Sequence, residues 1–348
     1  MSVSHRQAMP MRALGKTGIN SSLLGIGGIP LQRCTPEEAV AILEACQHEG
    51  VNFIDTARGY GASEALVGEA LKTLGTRAQW TIATKSVAKD AVTMEKDIQT
   101  SLSLLHVDHI DLYQCHFVKD LEQYAQITGA GGAYEALLEA KSQGKIGHIG
   151  ITAHNKDVLA HAIESGLWET IQFPFNLVET QGLEVFERAH QLNIGILVMK
   201  PLAGGAIDRP NLALRFISEN PHITVAIPGM DTVQQVRDNA MAMKAIDPLQ
   251  EEDWALIKEL QDTLGNLFCR RCGYCGPCPE GIDIPSMFTL EGYLTRYDLK
   301  EWATMRYGAL AKHADDCVAC GICETKCPYD LSIREMLVRV DGHFKTLK

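Results

Sequence analysis

The chain has 348 residues, 46% of them hydrophobic and 22% charged, and a formal net charge of −11. That is apolar material for one large domain and a smaller one, while the acidic balance argues against a general nucleic-acid binder, because phosphate would be repelled. The first twelve residues hold no charged segment followed by an apolar stretch, and no apolar run approaches the length of a membrane span, so the expectation is a cytoplasmic protein without membrane association.

In chain order the first predicted element is a hairpin over 11–19, with Gly15 and Gly18 near its turn, placed to plug the bottom of whatever follows. Short apolar strands then alternate with amphipathic helical stretches. The strands are read at 22–27, 51–54, 80–84, 110–114, 146–151, 170–173, 194–199 and 223–227. Their runs are apolar almost throughout, as strands covered on both faces must be. Helix starts such as Thr35-Pro36-Glu37-Glu38 combine a cap, a first-turn proline and first-turn acids. Eight such units in about 250 residues predict an α/β fold, a (β/α)8 TIM barrel, over 10–265. A doubly wound sheet is the alternative, but Gly25-Ile26-Gly27-Gly28-Ile29-Pro30 lacks the Gly-x-Gly-x-x-Gly spacing. The stretch 117–132, with Tyr124 and glycines at its tip, reads as a long irregular loop.

A barrel's chemistry sits where its strands end. Asp55, Lys85 and His116 end the second, third and fourth strands, and Tyr60 follows Asp55 in the same loop. Together they make a proton donor. A phenol titrates near ~10, and a neighbouring ammonium favours the phenolate and lowers that value. Asp55 would hold the charge of Lys85, and His116 would orient a substrate oxygen while Tyr60 gives up its proton.

Eight of the 11 cysteines lie in two runs near the C-terminus: Cys269, Cys272, Cys275 and Cys278, then Cys317, Cys320, Cys323 and Cys327, each run followed by a proline. The second run has the bacterial ferredoxin spacing, and the first is one residue short before its last cysteine. A zinc ribbon needs only four ligands and a disulfide framework belongs to short secreted chains. The expectation is therefore a small ferredoxin-like iron-sulfur domain over 266–348 with two [4Fe-4S] clusters, one held by Cys269, Cys272, Cys275 and Cys327, the other by Cys317, Cys320, Cys323 and Cys278. This segment carries 11 basic and 11 acidic residues, without an evident electrostatic docking patch. Tyr293, Tyr297, Trp302 and Tyr307, at roughly helical spacing, are expected to pack a small helix over the clusters rather than to stack bases. Cys34, Cys46 and Cys115 read as ordinary buried thiols.

The segment Val51-Asn52-Phe53-Ile54-Asp55-Thr56-Ala57-Arg58-Gly59-Tyr60-Gly61-Ala62-Ser63-Glu64 resembles the first catalytic motif of the aldo-keto reductase family, and the resemblance runs through residues 10 to 245. The whole chain is similar to the branch of that family with a C-terminal ferredoxin-like domain. The resemblance implies hydride transfer from a nicotinamide to an aldehyde or ketone, with Tyr60 as general acid supported by Asp55, Lys85 and His116. It implies that Thr152 and Gln172 hold the carboxamide, with Met199 in place of the usual stacking tyrosine. Lys200, Leu202 and Gly204 would hold the pyrophosphate, and Gly229, Gln235, Asp238 and Asn239 the adenosine. NADP(H) is the family cofactor. NAD(H) is the alternative, because Gly229 and Gln235 stand where basic residues usually meet the 2′-phosphate, and Asp231 is close by.

A nicotinamide delivers two electrons as a hydride, whereas these clusters move one at a time. Three readings follow. The clusters are structural or sensing, in a domain replacing the tail that shapes the family's substrate pocket. Or they exchange electrons with a ferredoxin or flavoprotein partner. Or the barrel is a nicotinamide-sensing module that docks a partner.

Overall fold

Residues 8–245 and 247–346 are described in the computed structural model, beginning with a hairpin in which β1 (Met11–Ala13) pairs antiparallel with β2 (Asn20–Ser22). Gly15 and Gly18 in its turn have φ of 53° and 76°, and a Cβ on Gly15 would lie 2.3 Å from the Gly195 nitrogen. The turn buries Leu14 completely, in a layer with Phe53, Ala83, Leu112, Leu197, Val225 and Ile227. Burial of one such side chain is worth about 1.5–3 kcal/mol. Arg12 anchors the hairpin by donating to the carbonyls of Ser218, Asn220 and Ile223.

Eight parallel strands follow: β3 (Ile26–Gly27), β4 (Phe53–Asp55), β5 (Thr81–Ser86), β6 (Ile110–Val118), β7 (Ile146–Ala153), β8 (Thr170–Pro174), β9 (Gly195–Met199) and β10 (Val225–Ile227), hydrogen-bonded in that order. Parallel bridges Leu24↔Ala226 and Gly27↔Gly229 join the last strand to the first, so the sheet closes and its edges disappear. Each expected strand is present. The first is shorter than expected because Ser22 pairs with Met11 in the hairpin, and the fourth is longer, reaching Val118 past an irregularity in its pairing with β7.

The helices outside are α1 (Pro36–His48), α2 (Ser63–Leu74), α3 (Ala91–Leu105), α4 (Leu121–Thr128), α5 (Ala133–Ser142), α6 (Lys156–Glu164), α7 (Leu183–Gln191), α8 (Pro210–Ser218) and α9 (Val233–Lys244). The start of α1 is the one read from sequence: Thr35 and Glu38 cap each other reciprocally, ahead of Pro36. Gly68 lets α2 approach α3, since a Cβ there would lie 2.2 Å from the Leu104 carbonyl oxygen. The stretch expected to be an irregular loop instead holds α4, capped by Asp120. Tyr124 is buried there, its hydroxyl accepting from the Trp168 indole at 3.2 Å.

Period-two alternation sorts the strand residues. Phe53, Ala83 and Leu112 lie in the inner layer, while Ile54, Ile82, Tyr113 and Cys115 belong to the larger core between sheet and helices. Continuing the alternation brings Asp55, Lys85, Gln114 and His116 to the inside at the carboxyl ends.

Contacts divide the chain into two units. The first takes in Thr180–Leu202, Arg209–Leu249 and the residues before Leu177; the second takes in Leu177–Glu179, Ala203–Asp208 and the chain from Gln250 onward. The second is built from α10 (Glu251–Leu264), α11 (Ile284–Thr295), α12 (Lys300–Gly308), α13 (Ile322–Lys326) and α14 (Ile333–Lys345). Met287, Phe288, Leu294, Leu337, Val340 and Phe344 fill its core. The four aromatics do not share one small helix: Tyr293 on α11 contacts Tyr297 in the following loop and Trp302 on α12, and Tyr307 on α12 stacks on Phe344 at 3.9 Å. Buried Glu291 on α11 accepts both forks of Arg339 on α14, at 2.7 and 2.8 Å. Among the described residues no helix is long and apolar enough to cross a membrane.

Candidate functional site

At the carboxyl ends of β4 and β5 the Lys85 ammonium lies 2.5 Å from Asp55 Oδ1 and donates to the Thr56 carbonyl at 2.8 Å. It also sits 4.8 Å from the centre of the Tyr60 ring. The Tyr60 and His116 rings meet edge-on at 5.7 Å. Asp55 and Lys85 are buried, whereas Tyr60 and His116 are half-buried. The ion pair is thus enclosed while the phenol and imidazole remain reachable. Burial pushes the Asp55 carboxyl up and the Lys85 ammonium down, and the contact between the two opposes both shifts.

Two carboxamides complete the floor. Gln114 Nε2 lies 3.5 Å from Asp55 Oδ2, and Gln172 also hydrogen-bonds that carboxylate. Gln114 escaped the sequence reading, although its position two residues before His116 marks it as inward-facing. The backbone of this loop is pinned from behind. Arg58 N–H donates to the Lys85 carbonyl at 3.0 Å, and its guanidinium pairs with buried Glu64, which also accepts from Thr84 Oγ1 and Ser101 Oγ at 2.7 Å each.

The other expected positions fall as follows. Thr152 is buried on β7, its hydroxyl accepting from the Phe117 N–H at 2.7 Å. Gln172 is buried on β8, and its Oε1 has no partner among the described residues. Lys200 has a positive φ of 55° and its carbonyl accepts from Asn176; Leu202 follows it, half-buried. Gly204 belongs to the second unit, where its carbonyl accepts from Arg296 at 2.9 Å. Gly229 bridges to Gly27, Gln235 accepts from the Asp231 N–H at 2.8 Å, Asp238 accepts from Gln234, and Asn239 is buried on α9. Asp231 pairs with Arg33, from the loop after β3. This cation was missed in the sequence because 198 residues separate it from its partner.

In the second unit the cysteine runs converge. All eight thiols are free, and Cys275 and Cys323 are buried whereas Cys320 is exposed. Burial pushes Cys269 up to about 12. Burial followed by the neighbouring Cys269, Cys272 and Cys323 pushes Cys275 up to about 12. Burial, and then Cys327, raise Cys272. Thiols that suppress one another's ionisation in this way form a donor set that a bound cationic centre would relieve, which fits a cluster. Cys327 of the second run acts on Cys272 and Cys323 on Cys275, so the two runs lie within electrostatic reach of each other.

A closed parallel barrel with a lysine–carboxylate pair beside a reachable tyrosine, on a chain with two four-cysteine runs, defines an oxidoreductase carrying a metal-cluster domain. Residues 23–212 match the model of the aldo/keto reductase family, and residues 268–332 match that of the 4Fe-4S dicluster domain. The chain belongs to the aldo/keto reductase family and carries a C-terminal 4Fe-4S dicluster domain. It is 25% identical over 310 residues to the L-galactose dehydrogenase of Arabidopsis thaliana, covering 74% of this chain and 96% of that one. It is 25% identical over 328 residues to the NADH-specific methylglyoxal reductase of Escherichia coli, covering 72% and 98%. Among solved structures, a putative aldo-keto reductase from Pseudomonas aeruginosa superposes with a TM-score of 0.62 at 28% identity, covering 70% of this chain and 98% of the other.

Proposed function

We propose that the protein is a nicotinamide-dependent carbonyl reductase in which Tyr60 is the general acid. The observation that carries this is Lys85, 2.5 Å from Asp55 and 4.8 Å from the Tyr60 ring. A cation fixed there stabilises the phenolate left when the proton departs. His116, edge-on to Tyr60, is suited to hydrogen-bond the carbonyl oxygen and aim it at the phenol. A bound NADP(H) or NAD(H) would supply the hydride to the carbonyl carbon, and the Tyr60 proton goes to the oxygen, giving an alcohol. Asp55 takes no part in the transfer; it holds the Lys85 charge in place.

Support for a nicotinamide comes from Gln172, whose buried Oε1 has no partner among the described residues and matches an amide N–H of the cofactor's carboxamide. Thr152, Lys200 and Leu202 would line the path of the nucleotide, with Gly229, Gln235, Asp238 and Asn239 at the adenosine end. Asp231 beside the ribose favours a hydroxyl, but Arg33 neutralises it, so the charge there is balanced between the two nucleotides. Names among the relatives point to small carbonyl and sugar compounds as first substrates to offer.

The test is nicotinamide oxidation by anaerobically purified, cluster-replete protein, using NADPH and NADH against aldehydes and ketones, with the parent and Tyr60→Phe compared. Carbonyl-dependent turnover should fall by about 10²–10⁴ in the variant while nucleotide binding persists. Turnover undiminished in the variant would remove Tyr60 from the role, and binding without turnover in either protein would refute the reductase reading.

A further inference from the structure

The eight cysteines do not sit in equivalent surroundings. Between Cys269 and Cys272 the chain places Arg270 and Arg271, both only 8% exposed. Arg271 pairs with buried Glu179 at 2.6 Å, and its backbone N–H donates to Cys269 Sγ at 3.4 Å. Arg270 makes no ion pair among the described residues. It donates to the carbonyls of Val178, Gly265 and Phe268 and lies 3.9 Å from the centre of the Tyr329 ring. A buried guanidinium without a carboxylate is expensive to keep, which asks for an anion nearby. The second run differs. Val318, Ala319 and Cys320 are exposed, and the acids around it are matched by cations: Asp316 by Lys312, Glu324 by Arg334 and Asp315 by Lys345.

We propose that Arg270 and Arg271 set the order in which the two clusters take electrons: the cluster ligated by Cys269, Cys272, Cys275 and Cys327 has the higher potential and keeps the first electron, while the cluster ligated by Cys317, Cys320, Cys323 and Cys278 is the port reached from solvent. The proposal rests on the reading that these thiolates hold two clusters. Each reduction takes one electron from a one-electron donor, a reduced ferredoxin or flavin semiquinone that is itself oxidised, and adds one unit of negative charge with no bond made or broken. Burial by itself disfavours that added charge, whereas a fixed cation and a hydrogen bond to a ligand sulfur favour it. The same low dielectric that penalises the charge strengthens its attraction to Arg270, so the uncompensated cation decides the sign. The second unit thereby becomes a one-electron relay with a direction, a function separate from hydride transfer.

The test is an anaerobic dithionite titration of the full-length holoprotein, followed by electron paramagnetic resonance with a soluble paramagnetic chelate present. Iron and sulfide analysis comes first, because too little for two cubes would sink the cluster reading rather than the ordering. With both clusters present, two separate one-electron steps are expected, the first signal shielded from the chelate and the second relaxed by it. Arg270→Gln should move the first step towards the second and leave the second in place, while Arg270→Lys should keep them apart. A single unresolved step, or a first signal that the chelate relaxes, overturns the proposal in the parent protein alone, whatever becomes of the variants.

Discussion

Replacing Lys85 by methionine isolates the energetics of the buried pair. Asp55 is 2% exposed and loses the cation at 2.5 Å, so in Lys85→Met it has two ways to exist. Staying charged costs about 3–5 kcal/mol, as for any broken buried pair. Taking up a proton costs about 1.36 kcal/mol for each pH unit above ~3.9, which is about 4 kcal/mol at pH 7 and about 2 kcal/mol at pH 5.5. Burial pushes this carboxyl up and the Lys85 contact opposes that rise, so in the variant, without the contact, its folded value lies further above the unfolded one than in the parent. Stability associated with such a group is fully present below the unfolded value and is lost as pH rises towards the folded one. The variant should therefore be less stable than the parent by about 3–4 kcal/mol at pH 7 and by only about 2 kcal/mol at pH 5.5. Urea unfolding of both proteins at each pH measures this, since the difference cancels contributions from the rest of the chain. Adding Asp55→Asn to the variant should abolish the pH dependence of the loss. Equal losses at the two pH values, or a pH dependence that survives Asp55→Asn, would refute the reasoning.

Glu64→Ala strands Arg58, Thr84 and Ser101 behind the active loop and should cost about 3 kcal/mol in urea unfolding, with Glu64→Gln costing less because both hydroxyl bonds survive; a loss in the alanine variant below about 1 kcal/mol would mean that the network is not stabilising. Asp231→Asn releases Arg33 and should lower the Kd for NADPH while leaving that for NADH nearly unchanged, as read by fluorescence titration; an unchanged ratio would place the 2′-position elsewhere. Although burial alone would raise it, hydrogen bonds from His148, Lys141 and the Ile149 N–H hold Glu169 down at about 2. Its contribution is present above the unfolded value of ~4.3 and fades as pH falls towards 2, so Glu169→Gln should show a shallower loss of melting temperature over that acid window than the parent, and an unaltered slope would discount the group.

The barrel was legible because two periodicities agree. Strands covered on both faces leave apolar runs too short for helices, and three consecutive runs end in polar residues that the pleat carries inward. Asp55, Lys85 and His116 could be placed at one mouth from spacing alone, since closure of a parallel barrel admits few other arrangements. The two cysteine runs were legible for a different reason: each is local, four cysteines within about ten residues ending at a proline. The helix α4 was not legible. Its sequence, Leu121-Glu122-Gln123-Tyr124-Ala125-Gln126-Ile127-Thr128, is short and ends at Gly129, and what stabilises it is the burial of Tyr124 against Trp168, 44 residues away.

Charge is where local reading fails most instructively. Asp231 reads in the sequence as an acid that should repel a phosphate, yet Arg33 arrives from the opposite end of the barrel sequence to cancel it. Arg270 and Arg271 read as an unremarkable basic pair, yet one is neutralised by Glu179 and the other by no carboxylate among the described residues. Identical residue types, adjacent in the chain, thus differ in whether a carboxylate compensates them beside the thiols. A side chain's charge is written in the sequence, but the field that it exerts depends on which distant partner folding supplies. For this chain, Asp231→Asn and Arg270→Gln measure that distinction, through the NADPH:NADH ratio and the spacing of the two reduction steps.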